Sequence, residues 1–270
     1  MGSSEEYDIC KHVIVGAPMD FTVSFRPGSR NGPQAIRMVS TGLEEYSFYQ
    51  DRDLADYNYY DLGDVIVPFG NVTESMKRIE LTTEELLDHG KFPIFLGGEH
   101  LVTLPIIKAM AKKHSDLVVF HFDAHADLRY DYLGEKESHA TVMHYVSKLL
   151  GNGNIYQFGI RSGTKDEFEY AKEHTHMFVD QILEPLSQVI AKWEDRPVYI
   201  SIDIDVVDPA YAPGTGTPEP GGCSSKEIIQ AIQLMRKLPV VGIDIVEVLP
   251  MVDQSQRTAL LAAKLVREAI

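Results

Sequence analysis

The chain of 270 residues holds only two cysteines, Cys10 and Cys223, and a single tryptophan, Trp193. At most one bridge could form, which excludes a disulfide framework and makes a reducing compartment the simpler setting. No apolar run approaches the roughly 20 residues that span a bilayer. The opening residues Met1-Gly2-Ser3-Ser4-Glu5-Glu6 lack the basic and apolar pattern of an export signal. The expectation is a soluble cytoplasmic protein with no membrane partner. Basic charge is scarce too: 25 Lys and Arg stand against 40 Asp and Glu, a formal net charge of −15. That balance speaks against a nucleic-acid partner and favours cations, either metal ions or a small basic substrate. Repeats and low-complexity tracts are absent, and no break in composition divides the chain, so residues 1–270 read as one domain.

What the sequence does contain is a regular alternation. Apolar strand-like runs occur at Val13 to Gly16, Tyr59 to Leu62, Pro93 to Leu96, Leu117 to Phe122, Ile155 to Phe158, Met177 to Val179, Val198 to Ile202 and Val240 to Val246. Stretches of helical spacing lie between many of them, most clearly Val72 to Asp88, Leu101 to His114, Ala140 to Leu150, Lys226 to Leu238 and Thr258 to Ala269. Strand alternating with helix predicts a mostly parallel sheet with helices on both faces. Sites in such sheets form outside the carboxyl ends of the strands. The segments Arg26 to Pro33 and Ala212 to Gly222, rich in Gly and Pro, read as ordered loops near that edge.

Charge collects at the predicted strand ends. Asp123-Ala124-His125-Ala126-Asp127 follows one apolar run, Asp203-Ile204-Asp205 follows another, and Leu96-Gly97-Gly98-Glu99-His100 ends a third. In an extended segment residues two apart share a side, which would bring Asp123, His125 and Asp127 together, and Asp203 with Asp205. Unpaired carboxylates at buried strand ends are costly, and divalent metal relieves the cost. Four aspartates and two histidines exceed what one ion with an open catalytic position needs, but suit two ions sharing bridging carboxylates. The charges then cancel, leaving a cluster able to hold a bridging hydroxide. Carboxylate and imidazole without thiolate favour manganese, with zinc, iron, cobalt and nickel open. His121, His144 and His89 fit no ligand string and read as core or surface residues.

Gly97-Gly98-Glu99-His100, Phe122-Asp123-Ala124-His125-Ala126-Asp127 and Ser201-Ile202-Asp203-Ile204-Asp205-Val206-Val207-Asp208-Pro209 together resemble the ureohydrolase family, which includes arginases and agmatinases. The likeness extends from Gly28-Ser29-Arg30-Asn31-Gly32-Pro33 to Asp244-Ile245-Val246-Glu247. It implies a three-layer α/β/α fold with a roughly eight-stranded sheet, two Mn2+ per subunit, and hydrolysis of a guanidinium group to urea and an amine. It also implies a homo-oligomer, trimer or hexamer. His100, Asp123, Asp127 and Asp203 would hold one ion, and His125, Asp123, Asp203 and Asp205 the other. His139 matches the family's proton-shuttling histidine, Glu247 its guanidinium-binding carboxylate, and Thr217 lies in the loop beside the nucleophile. With Asp127, His139 and Glu247 make up the expected catalytic set; Asp244, two residues before Glu247 and on the same side of its strand, is expected to orient a metal ligand or the substrate.

Substrate choice falls to the loop from Leu128 to Ser138. In arginases the corresponding loop carries small polar residues that hold a carboxylate; here it is acidic and aromatic. Asp131 and its neighbouring tyrosines suit a cationic tail, as in agmatine, through charge pairing and cation–π contact. Arg129 dissents, since it could meet a substrate carboxylate, as in guanidinobutyrate; pairing with Asp131 or Glu135 is the preferred reading. Arginine as substrate, a metal-binding relative without activity, and a phosphoester-cleaving hydrolase also stay open. The last would want several cations beside the metals, and Arg129 is the one candidate.

Overall fold

A computed structural model describes residues 3–270; of the amino-terminal stretch read above, Met1 and Gly2 lie outside the described residues. Eight strands form one sheet: β1 (His12–Ala17), β4 (Tyr59–Asp64), β5 (Phe92–Gly97), β6 (Val118–Phe122), β7 (Ile155–Ile160), β8 (His176–Val179), β9 (Val198–Asp203) and β10 (Val240–Val246). A separate short hairpin pairs β2 (Tyr46–Ser47) with β3 (Arg52–Asp53). The sheet runs β4-β1-β5-β10-β9-β6-β7-β8, and every neighbouring pair is parallel. All eight expected strands are present.

Both faces of this sheet are buried, which explains why its strands read as continuous apolar runs. Val13, Val15, Phe95, Val119 and Tyr199 enter one core; the alternate residues Ile14, Ile94, Phe120, Ile200 and Ile243 enter the other. Helices α2 (Val72–Asp88), α3 (Thr103–Lys113) and α4 (Val142–Leu150) pack in series. On the other side α1 (Gly32–Ser40), α8 (Arg257–Ala269), α7 (Ser225–Met235) and α6 (Leu183–Ile190) do the same, giving three layers. Helix α5 (Lys165–His174) joins the first group through Phe168 and Ala171. Among the described residues no helix is long and apolar enough to cross a membrane.

Helices α1, α5 and α6 are not among the expected ones. The segment Arg26 to Pro33 is not wholly loop: Ser29–Asn31 is a 3-10 turn, and Gly32 and Pro33 open α1. Proline is tolerated at a helix start because the donor it lacks has no intrahelical partner there. The start of α5 is a capping box in which Thr164 accepts from the Glu167 amide and Glu167 accepts from the Thr164 amide. That signal is present in the sequence but is short beside the long apolar runs.

Sheet order positions the site. Strands β5, β10, β9 and β6 are neighbours, although their sequence order is 5, 6, 9, 10. Their carboxyl ends therefore bring His100, Glu247, Asp203 and Asp123 to one edge from four distant parts of the chain. The turn after β5 needs its glycines for closeness: a Cβ on Gly98 would lie 2.0 Å from the Met19 carbonyl oxygen, and one on Gly97 would lie 2.5 Å from Val246 Cγ1.

Candidate metal centre and active site

His100 Nδ1 lies 3.1 Å from Asp123 Oδ2, 3.2 Å from Asp127 Oδ2 and 3.4 Å from Asp203 Oδ2. A second set adjoins the first: His125 Nδ1 is 2.9 Å from Asp205 Oδ2 and 3.5 Å from Asp123 Oδ1. Asp123 faces both sets, one oxygen to each. All six residues expected as ligands are thus gathered, in two adjoining groups.

The way they converge differs from the extended-segment expectation. Strand β6 stops at Phe122, and residues 123–127 form a loop pinned by the Ala126 amide on the Ser162 carbonyl, 3.0 Å. Asp127 sits at φ 53°, in the left-handed region. The reversal sends Asp127 to His100 rather than to its sequence neighbour His125. Likewise Asp205 falls in a 3-10 turn capped by Asp203, whose Oδ1 accepts from the Asp205 amide at 2.9 Å. In both strings the chain turns away from the extended conformation just after the strand, so Asp205 parts from Asp203 and His125 from Asp127, while Asp123 and Asp127 meet at His100.

Several features fit divalent ions. His100 Nδ1 is buried and makes no hydrogen bond. Among the described residues, no Lys or Arg pairs with the carboxylates of Asp123, Asp127, Asp203 or Asp205. Burial, with Asp123 beside it, pushes Asp127 up to about 7, and burial with Asp205 and Asp123 pushes Asp203 well above the carboxylate range. Carboxylates so crowded that they would rather hold protons are a site waiting for positive charge.

Outer contacts fix the ligand orientation. His100 Nε2 meets Ser201 Oγ at 3.0 Å, and Ser201 Oγ donates to Asp244 Oδ1 at 2.7 Å. With its proton committed to Asp244, Ser201 accepts from Nε2–H, which leaves the Nδ1 lone pair free for a metal. Thr103 and Tyr199 donate to the other Asp244 oxygen at 3.0 and 2.9 Å. Asp244 therefore reaches His100 through Ser201. Ser201→Ala should weaken metal affinity about 10- to 100-fold while leaving the ligands in place, a change that calorimetric titration of Mn2+ would register.

His121 is a core histidine, one of the two readings, and it also touches the cluster. It is fully buried, and its Nε2 lies 2.9 Å from Asp123 Oδ2. The Gln157 amide, which also donates to the Ala126 carbonyl, donates to Nδ1 at 3.0 Å, so Nε2 carries the proton toward Asp123. Two residues before Asp123 on a strand, it shares that side; the spacing is readable in the sequence.

A cleft of about 290 Å³ opens over the cluster, lined among others by Arg129, Tyr132, His139, Glu167, Thr217, Glu219 and Glu247. It has room for a small linear molecule. Glu247 is buried at φ 62°, and its Oε1 accepts from the His100 amide at 2.9 Å. Burial and the neighbouring Glu99 raise its carboxyl to about 8. His139 has Ser24 Oγ 3.3 Å from Nε2 and Ser138 Oγ 3.3 Å from Nδ1. Burial lowers it to about 4, so at neutral pH the imidazole is uncharged. Thr217 lies on the cleft wall as expected.

Two expectations about the 128–138 loop fail. Asp131 is exposed, does not line the cleft, and caps its own turn by accepting from the Gly134 amide at 3.0 Å. Arg129 pairs with neither Asp131 nor Glu135: its Nε lies 3.5 Å from Glu167 Oε2, and its guanidinium lies over the Tyr132 ring at 5.1 Å. The acid the sequence reading passed over is Glu219. Arg161 holds its loop by donating to the Glu219 carbonyl at 2.7 Å and to the Asp205 carbonyl at 2.7 Å. Among the described residues the Glu219 side chain has no hydrogen-bond or ion-pair partner, and Glu219 lines the cleft.

Sheet order, layer arrangement and a twin His/Asp cluster at the carboxyl edge together describe the class of α/β hydrolases built around such a cluster. The arginase family model matches residues 10–270, and the chain belongs to the arginase family. Members of that family use a binuclear metal site, which the cluster fits. The chain is 52% identical to an agmatinase of Bacillus subtilis (strain 168), covering all of this chain and 94% of the relative. It is 37% identical to a guanidinobutyrase of Pseudomonas aeruginosa, over 99% of this chain and 88% of that one. The crystal structure of agmatine ureohydrolase of Thermoplasma volcanium superposes with a TM-score of 0.90 at 35% identity, covering 99% and 91% of the two chains. The chain is an enzyme, an agmatinase-like ureohydrolase.

Proposed function

We propose that this enzyme hydrolyses agmatine to putrescine and urea with two manganese ions. His100, Asp123, Asp127 and Asp203 would hold one ion, and His125, Asp123, Asp203 and Asp205 the other; manganese suits a carboxylate-rich, thiolate-free set. When bound, the ions lower the pKa of water toward neutrality and so supply a nucleophile for the guanidinium carbon. Glu247 Oε2, and the remaining lone pair of Oε1, face the guanidinium, whose positive charge favours the ionised carboxylate that burial opposes. As the carbon–nitrogen bond breaks, the leaving amine takes a proton. Neutral His139 relays it from solvent, which holds the proton given up by the attacking water, receiving at one nitrogen as it gives at the other, with the Ser24 and Ser138 hydroxyls beside the two positions.

The observation that carries the choice of agmatine is the charge around the cleft. Arg129 is the one Arg or Lys among its described lining residues, and it is engaged by Glu167 and Tyr132, whereas the Glu219 carboxylate is free. A cationic tail finds a partner there and a carboxylate tail does not. The paired Arg129 also argues against a phosphoester substrate, which would need free cations. Guanidinobutyrate is the second reading, because Arg129 remains 38% exposed at the side chain. Manganese-loaded protein should release urea from agmatine well above arginine or guanidinobutyrate in a colorimetric assay. Release from arginine alone would overturn the substrate assignment, and release from none would overturn the hydrolytic one.

A further inference from the structure

Glu99 stands between Gly98 and His100, in the turn that delivers a proposed metal ligand, yet its carboxylate is committed elsewhere. It is fully buried. Oε1 accepts from the Phe21 amide at 2.8 Å and the Thr22 amide at 3.2 Å, while Oε2 accepts from the Thr22 amide at 3.1 Å and from the Thr22 hydroxyl. No Lys or Arg pairs with it among the described residues. The backbone joins the same two segments: the Gly98 amide donates to the Ala17 carbonyl at 2.8 Å and the Glu99 amide to the Met19 carbonyl at 2.7 Å. At the far end of this link, Thr22 Oγ1 accepts from the His139 backbone amide at 3.0 Å. Two residues on, Ser24 Oγ meets His139 Nε2.

The chemistry of the link sets its direction. The Thr22 hydroxyl donates to Glu99 and, with its proton committed there, turns a lone pair to the His139 amide. A glutamine in place of Glu99 could turn its amide group to Thr22 and release that constraint. We infer that Glu99 and Thr22 are positioning residues for His139, carrying the placement of the His100 turn through one fixed chain of hydrogen bonds to the imidazole across the cleft. The inference rests on the proposed role of His139 in agmatine hydrolysis.

Thr22→Val keeps the shape and removes the hydroxyl, and Thr22→Ser keeps the hydroxyl. Misplacing a reacting group by about 1 Å can slow a reaction about 100-fold. With agmatine and Mn2+, Thr22→Val should lower kcat about 10-fold or more with KM within about twofold and both ions still bound by elemental analysis. Thr22→Ser should retain at least about half of kcat. In a His139→Ala background Thr22→Val should change kcat less than about twofold, because residues acting as one unit are not additive. Unchanged kcat in Thr22→Val, or the same fractional loss with and without His139, would overturn the positioning role. Thr22→Ala, which presses no methyl against Glu99, is read by the same criteria if Thr22→Val does not fold. An unsubstituted protein that releases no urea from agmatine would overturn the functional proposal itself, and that result is seen before any variant is made.

Discussion

Asp203→Asn should abolish urea release and with it the metal-dependent gain in thermal stability. In the proposed site Asp203 would serve both ions; its Oδ2 faces His100 Nδ1, and its Oδ1 caps the turn that carries Asp205. Asparagine offers one neutral oxygen where a bridging carboxylate offers two charged ones, and the four-charge balance with two divalent ions is lost. The metal-free variant should be at least as stable as the metal-free parent. Burial, with Asp205 and Asp123 nearby, pushes the Asp203 carboxyl well above its ordinary range, and asparagine imitates the protonated acid. The difference appears on adding Mn2+. An ion that binds only the folded state adds about 2.7 kcal/mol at 100 times its dissociation constant, so the parent's melting temperature should climb and the variant's should climb far less. Elemental analysis of the dialysed protein, alongside scanning calorimetry, separates the outcomes. Two tightly bound ions with full activity in Asp203→Asn would contradict the bridging role.

His139→Ala should do the opposite to the two readouts. Its imidazole contacts Ser24, Ser138 and Tyr132, not a proposed metal ligand, so occupancy and melting temperature should stay close to the parent's. Turnover should fall about 10²- to 10⁴-fold, the usual worth of a positioned acid–base group, with KM little altered. Steady-state kinetics on agmatine measures both. A variant with kcat near the parent's would remove His139 from the proton path, and a variant that loses its ions would make it structural.

Much of this is legible in the sequence because its signals are local. A parallel sheet buried on both faces writes its strands as unbroken apolar runs, and all eight can be read. His100, Asp123, His125, Asp127, Asp203 and Asp205 stand out because charge directly after such a run is costly unless a cation meets it. Shorter signals are easier to pass over: the Thr164 and Glu167 capping box that opens α5, and His121 two residues before Asp123. The acidic loop shows a different limit. Its composition points to a cationic tail, but Asp131 caps its own turn while Glu219, from another loop, lines the cleft. Side-chain direction in a loop follows hydrogen bonds to remote partners, such as those Arg161 makes to the Asp205 and Glu219 carbonyls.

By itself, then, the sequence determined the kind of chemistry: hard carboxylate and imidazole donors without thiolate, at the ends of buried strands in an acidic chain. Residue type and local period carry that information without reference to the rest of the molecule. Tertiary structure alone decided how the donors divide. The order β5-β10-β9-β6 brings His100 beside residues from 123 to 127 and 203, and the left-handed backbone at Asp127 sends it to His100 instead of His125. It also decided that Arg129 is spent on Glu167 while Glu219 is left free, because a charge is available to a substrate only if no distant residue has already claimed it.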